Sequence, residues 1–131
     1  MKLLIVDDSL IVRNAIERNV RHPEITEIFQ ADNGVTALQL YYQHFPELIT
    51  MDLTMPHLDG LACLQEIQRT PHPASILVIS ALNSHRAAME AVSRGACGFL
   101  VKPFTASELI EAMGELVEHA HAQQKGATHE S

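Results

Sequence analysis

The sequence predicts an α/β chain organised as a doubly wound parallel sheet, on three observations. Short apolar runs recur at Leu3–Val6, Leu48–Met51, Ile76–Ile79 and Phe99–Val101. Segments whose apolar residues repeat with helical period lie between them. Capping and turn residues separate the two kinds of segment, so that strand followed by helix recurs along the chain. At 131 residues there is room for one domain.

Each run is too short for a helix and none alternates, which suits strands covered on both faces. After the first, Ser9 is an N-cap residue for a helix carrying Leu10, Ile16 and Val20, closed by Pro23. Ile25–Ala31 is a weaker strand whose mixed pattern fits an edge position. Asn33-Gly34 opens a second helix, with Val35, Leu38, Tyr41 and Tyr42 on one face and Pro46 at its end. Asp59-Gly60 starts a third, carrying Leu61, Leu64 and Ile67 as far as Pro71. Ala87, Ala91 and Val92 belong to a fourth that stops at Gly95. The last helix has a capping box, Thr105-Ala-Ser-Glu108, and a stripe of Leu109, Met113, Leu116 and Val117. From about residue 119 the chain turns polar and is expected to fray. The domain is therefore placed at 1–120 and a polar tail at 121–131. His119 and His121 stand two apart, off a common helical face, which argues against a shared metal.

Apolar residues make up 47% of the chain and charged residues 19%, enough for a packed core. Nine Lys and Arg against sixteen Asp and Glu give a net charge of −7, the wrong sign for a nucleic-acid surface. No apolar run approaches the ~20 residues of a membrane span. Leu3–Val6 is also too short for a secretory core and runs into Asp7-Asp8. Cys63 and Cys97 have neither zinc nor disulfide spacing and read as free thiols. The expectation is a soluble cytoplasmic protein.

In open parallel sheets, ligands bind beyond the carboxyl ends of the strands. The first run ends in Asp7-Asp8, Leu48–Met51 in Asp52, Ile76–Ile79 in Ser80 and Phe99–Val101 in Lys102. Three of the five Asp stand at these ends, and Lys102 is the one Lys away from the termini. Three gathered carboxylates resist ionising together unless a cation joins them. A hard divalent ion answers that need, and Mg²⁺ takes oxygen ligands such as Asp7, Asp8 and Asp52. Lys102 adds a compact charge for a phosphoryl oxygen, and Ser80 a hydroxyl donor. The set suits a phosphoryl group in transit, held by charge and position. The acceptor is then a carboxylate. Asp52 is the candidate, because the adjacent Asp7 and Asp8 are better placed as metal ligands. An isolated Asp after a strand is ordinarily a cap or turn residue, and Asp59-Gly60 is assigned to a turn and helix start. The weight comes from four strand ends taken together. The Lys102-Pro103 bond is open to the cis form.

The stretches Leu4-Ile-Val-Asp-Asp-Ser9, Met51-Asp-Leu-Thr-Met-Pro-His-Leu-Asp-Gly60, Val78-Ile-Ser-Ala81 and Gly98-Phe-Leu-Val-Lys-Pro-Phe104 resemble the receiver domains of bacterial two-component response regulators. The pattern is similar to that of the stand-alone chemotaxis regulators. The resemblance implies a flavodoxin-like five-stranded parallel sheet in the order 2-1-3-4-5 with helices on both faces. It implies a phosphorylation-activated signalling switch, a phosphoacceptor rather than an enzyme, that assists its own phosphorylation and dephosphorylation. Asp52 matches the phosphoacceptor, Asp7 and Asp8 the Mg²⁺ carboxylates, the Thr54 carbonyl a backbone metal ligand, and Lys102 the phosphate-binding lysine. Ser80 matches the hydroxyl switch position. Phe99 matches the aromatic position whose ring turns inward on activation, the lesser alternative being a buried strand residue. The implied phosphodonor is a histidine kinase or phosphotransfer protein. The implied output is a protein met through the surface of residues 84–118, by a monomer or weak dimer.

Thr54 and Leu82 stand where the chemotaxis regulators carry an amide and an acid near the path of attacking water. Leu82 makes the site less polar, so slower self-dephosphorylation is expected. An aspartate-nucleophile phosphatase of the haloacid dehalogenase type needs Asp-x-Asp, which Asp7-Asp8-Ser9-Leu10 lacks. A flavin binder needs a phosphate cradle in its first loop, where Asp7-Asp8 would repel the anion. A receiver-like module that takes no phosphate is at odds with the intact site. A phosphorelay intermediate, or the receiver fragment of a larger regulator, are the remaining alternatives. No helix-turn-helix fits after residue 120, so the effect is expected to run through protein contacts.

Overall fold

A computed structural model describes residues 1–55 and 59–130, with residues 125–130 described by backbone alone. Pro56, His57 and Leu58 of the second quoted stretch, and Ser131 of the tail, lie outside the described residues. The elements run β1 Lys2–Val6, α1 Leu10–Asn19, β2 Glu27–Ala31, α2 Gly34–His44, β3 Leu48–Met51, α3 Gly60–Gln68, β4 Ser75–Ser80, α4 His85–Ser93, β5 Gly98–Val101 and α5 Ala106–Glu130. All strand pairs are parallel, in the order β2-β1-β3-β4-β5.

Alternation along each buried strand divides the apolar side chains between two layers. Leu4, Val6, Ile49, Met51, Ile76 and Val78 pack with Ala37, Tyr41, Leu64, Ile67 and Ala91, which places α2, α3 and α4 on one face. Leu3, Ile5, Leu48, Leu77 and Ile79 pack with Ile16, Leu109, Met113, Leu116 and Val117, which places α1 and α5 on the other. Each fully buried Leu or Ile contributes roughly 1.5–3 kcal/mol. The runs lack alternation because both faces of the central strands are covered.

Local chemistry sets the boundaries. Ser9, Asn33, Asp59 and Ser84 each cap a helix by accepting a backbone N–H from three residues on. Thr105 and Glu108 form the expected reciprocal cap. The first helix ends at Asn19, ahead of Pro23, because Val20 turns extended and buries its side chain in the α1–α5 core. The edge strand β2 starts at Glu27, two residues later than expected, since Ile25 N–H is drawn back to the His22 carbonyl. The last helix continues to Glu130 where fraying from about residue 119 was expected. Ala120 extends its buried stripe by another turn, and His119 and His121 take separate partners, Ser75 and Glu24.

Candidate functional site

Because every strand runs the same way, the carboxyl ends of all five lie along one rim of the sheet. The register pairs Val6 with Met51, which sets Asp7 level with Asp52. Two backbone bonds hold these residues just past their strands: Asp7 N–H donates to the Ala31 carbonyl at 3.1 Å, and Asp52 N–H to the Val6 carbonyl at 3.0 Å. The strand order reverses between β1 and β3, so the two carboxylates flank the switch point where α/β sheets bind ligands. At the far side Ser80 pairs with Val101, and Lys102 N–H donates to the Ser80 carbonyl at 2.9 Å.

Carboxylate oxygens of Asp7, Asp8 and Asp52 lie within 4.8 Å of one another. Asp7 is 1% and Asp52 3% exposed, whereas Asp8 is open to solvent. Lys102 Nζ stands 2.5 Å from Asp7 Oδ2 and 3.6 Å from Asp52 Oδ2, its side chain 19% exposed. The Lys102–Pro103 bond is cis. Ser9 N–H donates to Asp7 Oδ1 at 2.9 Å, and Thr54 N–H to Asp52 Oδ1 at 3.3 Å. Burial pushes the Asp52 carboxyl above its ordinary pKa; Lys102 opposes the rise, while Asp7 and then Asp8 add to it.

One ammonium against three carboxylates leaves a net negative cluster of hard oxygen donors, a set that fits a divalent cation of the Mg²⁺ class. Asp7, Asp8 and Asp52 are the side chains that would hold it. Thr54 lies exposed in the segment after Asp52. Ser80 is fully buried, and its Oγ accepts from Leu82 N–H at 3.2 Å, which leaves the hydroxyl proton free to be donated. Among the described residues Ser80 bonds none of the three carboxylates. Phe99 of β5 pairs with Val78 of β4 and packs, half-buried, against the layer of α2, α3 and α4. Leu82 is 43% exposed beyond β4.

Two supporting residues escaped sequence reasoning. Arg13 Nη1 donates to the Asp7 carbonyl at 2.7 Å and Nε to Gln30 at 3.0 Å, which pins the loop after β1. Its signal was only a polar position inside an amphipathic helix. Gly60, assigned to a helix start, lies against the segment just past β3: a Cβ there would stand 2.1 Å from the Asp52 carbonyl oxygen. The Asp59-Gly60 pair carried that signal, but a turn explained it equally well.

The model of the response regulator receiver domain matches residues 3–114. The chain belongs to the receiver-domain family of response regulators. This receiver domain is 36% identical over 114 residues to the chemotaxis protein CheY of Bacillus subtilis, covering 87% of this chain and 95% of that one. It is 35% identical to CheY of Listeria monocytogenes over 113 residues, 86% of this chain and 95% of that one. Among solved structures it is similar to a chain of the CheX–CheY–BeF3–Mg²⁺ complex from Borrelia burgdorferi. There the TM-score is 0.83 at 28% identity, over 89% of each chain. No helix of the described receiver domain is long and apolar enough to cross a membrane.

Proposed function

We propose that this receiver domain is a cytoplasmic phosphorylation switch of a two-component system. Asp52 takes a phosphoryl group from a histidine kinase or phosphotransfer protein, with Mg²⁺ held by Asp7, Asp8, Asp52 and the Thr54 carbonyl. The observation that carries the reading is the meeting of three carboxylates with the Lys102 ammonium at the switch point of the sheet.

A bound divalent cation would neutralise the cluster and the incoming phosphoryl charge. Asp52 supplies the nucleophile: its carboxylate oxygen forms the new P–O bond while the P–N bond of a phosphohistidine donor breaks and the imidazole keeps the electron pair. The Thr54 N–H orients the Asp52 carboxylate. Lys102 stands close enough to Asp52 to follow a phosphoryl oxygen rather than Asp7 once one is present. Ser80 offers its free hydroxyl proton to the same group, and its movement opens space beside Phe99. Two packings of the 84–118 surface then exchange population, which signals through protein contacts rather than through turnover of a separate substrate. Support for that face comes from Met89, Val92 and Val101, large apolar side chains left exposed on α4 and β5.

The test is incubation with a small acyl phosphate, with and without Mg²⁺, followed by intact mass. One phosphoryl adduct that needs Mg²⁺ and is absent in Asp52→Asn is the expected result. No adduct on the native chain would end the reading.

A further inference from the structure

A cavity of about 160 Å³ lies between β5 and α5, on the surface read above as the output face. Its wall comes from Leu77, Ala112 and Leu116 with Cys97 and Gly98 at the start of β5, and Glu115 and His119 supply the charged and polar part. Leu77 and Leu116 are buried while Glu115 and His119 are exposed, so the cavity opens to solvent beside the two polar groups. An apolar cavity of about 150 Å³ holds a benzene molecule. This one therefore has room for a single long side chain.

Both polar groups accept hydrogen bonds. Ser75 Oγ donates to Gln123 Oε1 at 3.1 Å, so at 2.8 Å it accepts from His119 Nδ1, and in the neutral imidazole that makes Nε2 the acceptor. Glu115 is a carboxylate with no ion-pair partner among the described residues. It belongs to a stripe, Glu108, Glu111, Glu115 and Glu118, at helical spacing on α5, which has no Lys or Arg before Lys125. Across the face, Arg94 just past α4 is occupied by Glu90 at 2.9 Å, and among the described residues Arg86 is the arginine left there. The surroundings are acidic.

We infer that this cavity docks a Lys or Arg side chain from a basic segment of the output protein, its aliphatic stem against Leu77, Ala112 and Leu116 and its charged head at Glu115 and His119 Nε2. The inference rests on the reading of residues 84–118 as the output face. The stem of such a residue covers apolar surface while its head stays solvated. Charge selects the occupant: a second copy would bring like-charged α5 stripes together, and nucleic acid or an anionic membrane would be repelled.

The test uses a random dodecapeptide display library selected on the full chain, unmodified and in the beryllofluoride–Mg²⁺ state. Enriched peptides are expected to carry Lys or Arg beside apolar residues at least twofold above the unselected library. A synthesised winner should shift the amide signals of Gly98, Ala112 and Leu116. It should lose at least tenfold affinity for Glu115→Arg and for the cavity-filling Ala112→Leu, but not for Glu27→Arg on the opposite edge strand. Glu115→Gln replaces Glu115→Arg if the latter fails to fold. Enrichment of acidic peptides, no charge preference, binding indifferent to Glu115, or a dimer abolished by Glu115→Arg would each overturn it. Asp52 labelling is measured on the same samples. Labelling with no basic preference sinks the docking inference alone, whereas basic peptides in the cavity with no labelling sink the phosphorylation reading alone.

Discussion

Lys102 Nζ is bound to Asp7 Oδ2 at 2.5 Å, tying the end of β5 to the end of β1 across two intervening strands. The ammonium is closer to Asp7, the proposed metal ligand, than to Asp52, the proposed acceptor, at 3.6 Å. In the proposed reading one cation serves two purposes. It keeps a buried carboxylate paired in the resting site, and it stands ready for a phosphoryl oxygen.

Lys102→Met removes both at once. Asp7 is 1% exposed, and breaking a buried pair costs roughly 3–5 kcal/mol. Water reaches the Lys102 side chain, so a loss near the lower end is expected in metal-free urea unfolding. Mg²⁺ should restore much of the stability without restoring the labelling rate, which should fall at least tenfold on the order of one lost charge-assisted contact. A variant that labels at the native rate would remove Lys102 from the chemistry.

Asp52 gives a pH dependence whose sign is fixed. Its folded pKa is raised, chiefly by burial, so the folded state holds the proton more tightly than the unfolded chain. The associated stability is complete below the unfolded carboxylate range and is lost as pH rises through the folded value. Without divalent ions, Asp52→Asn should therefore be more stable than the native chain at neutral pH. The advantage should shrink on acidification and vanish below the ordinary carboxylate range. Denaturation midpoints across that range measure it; a variant less stable at neutral pH would contradict the direction.

At Gly60 the constraint is close approach. A methyl group would overlap the Asp52 carbonyl oxygen and the Leu53 backbone, so α3 or the loop after β3 must shift. Gly60→Ala is expected to lose about 1–3 kcal/mol, the range for overpacking, and to slow labelling beyond its effect on the folded fraction. Thermal unfolding and labelling on one preparation separate the two.

Leu82→Glu tests how long the phosphoryl group lasts. Leu82 follows Ser80 on the exposed side of the rim, its N–H bonded to Ser80 Oγ. A carboxylate there supplies polarity that orients water, so the phosphorylated variant should lose phosphate faster, by less than the roughly 10²–10⁴-fold of a fully positioned acid–base group. An unchanged lifetime would show that Leu82 does not set the rate.

The rim was legible because parallel strands turn a linear pattern into a spatial one. Asp7, Asp8, Asp52 and Lys102 each end an apolar run, and a common strand direction brings those ends together. Capping chemistry made Ser9, Asp59 and Thr105 readable for the same reason: the signal lies within three residues of its effect. Contacts between distant segments left weaker marks. Val20 ends α1 through burial in the α5 layer, which no local breaker announced. The bonds from His119 to Ser75 and from His121 to Glu24 belong to a helix that the polar sequence alone did not sustain. Arg13 reaches the Asp7 carbonyl from a position that reads as ordinary helix surface.

Borohydride trapping after acyl phosphate treatment tests the central claim most directly. The reagent reduces an aspartyl phosphate to homoserine with release of phosphate, so peptide sequencing reports both the chemistry and the position. Homoserine at position 52, formed only when Mg²⁺ was present, is the predicted result. Homoserine at position 8 or 59 instead, or equal yield without a divalent ion, would contradict the account.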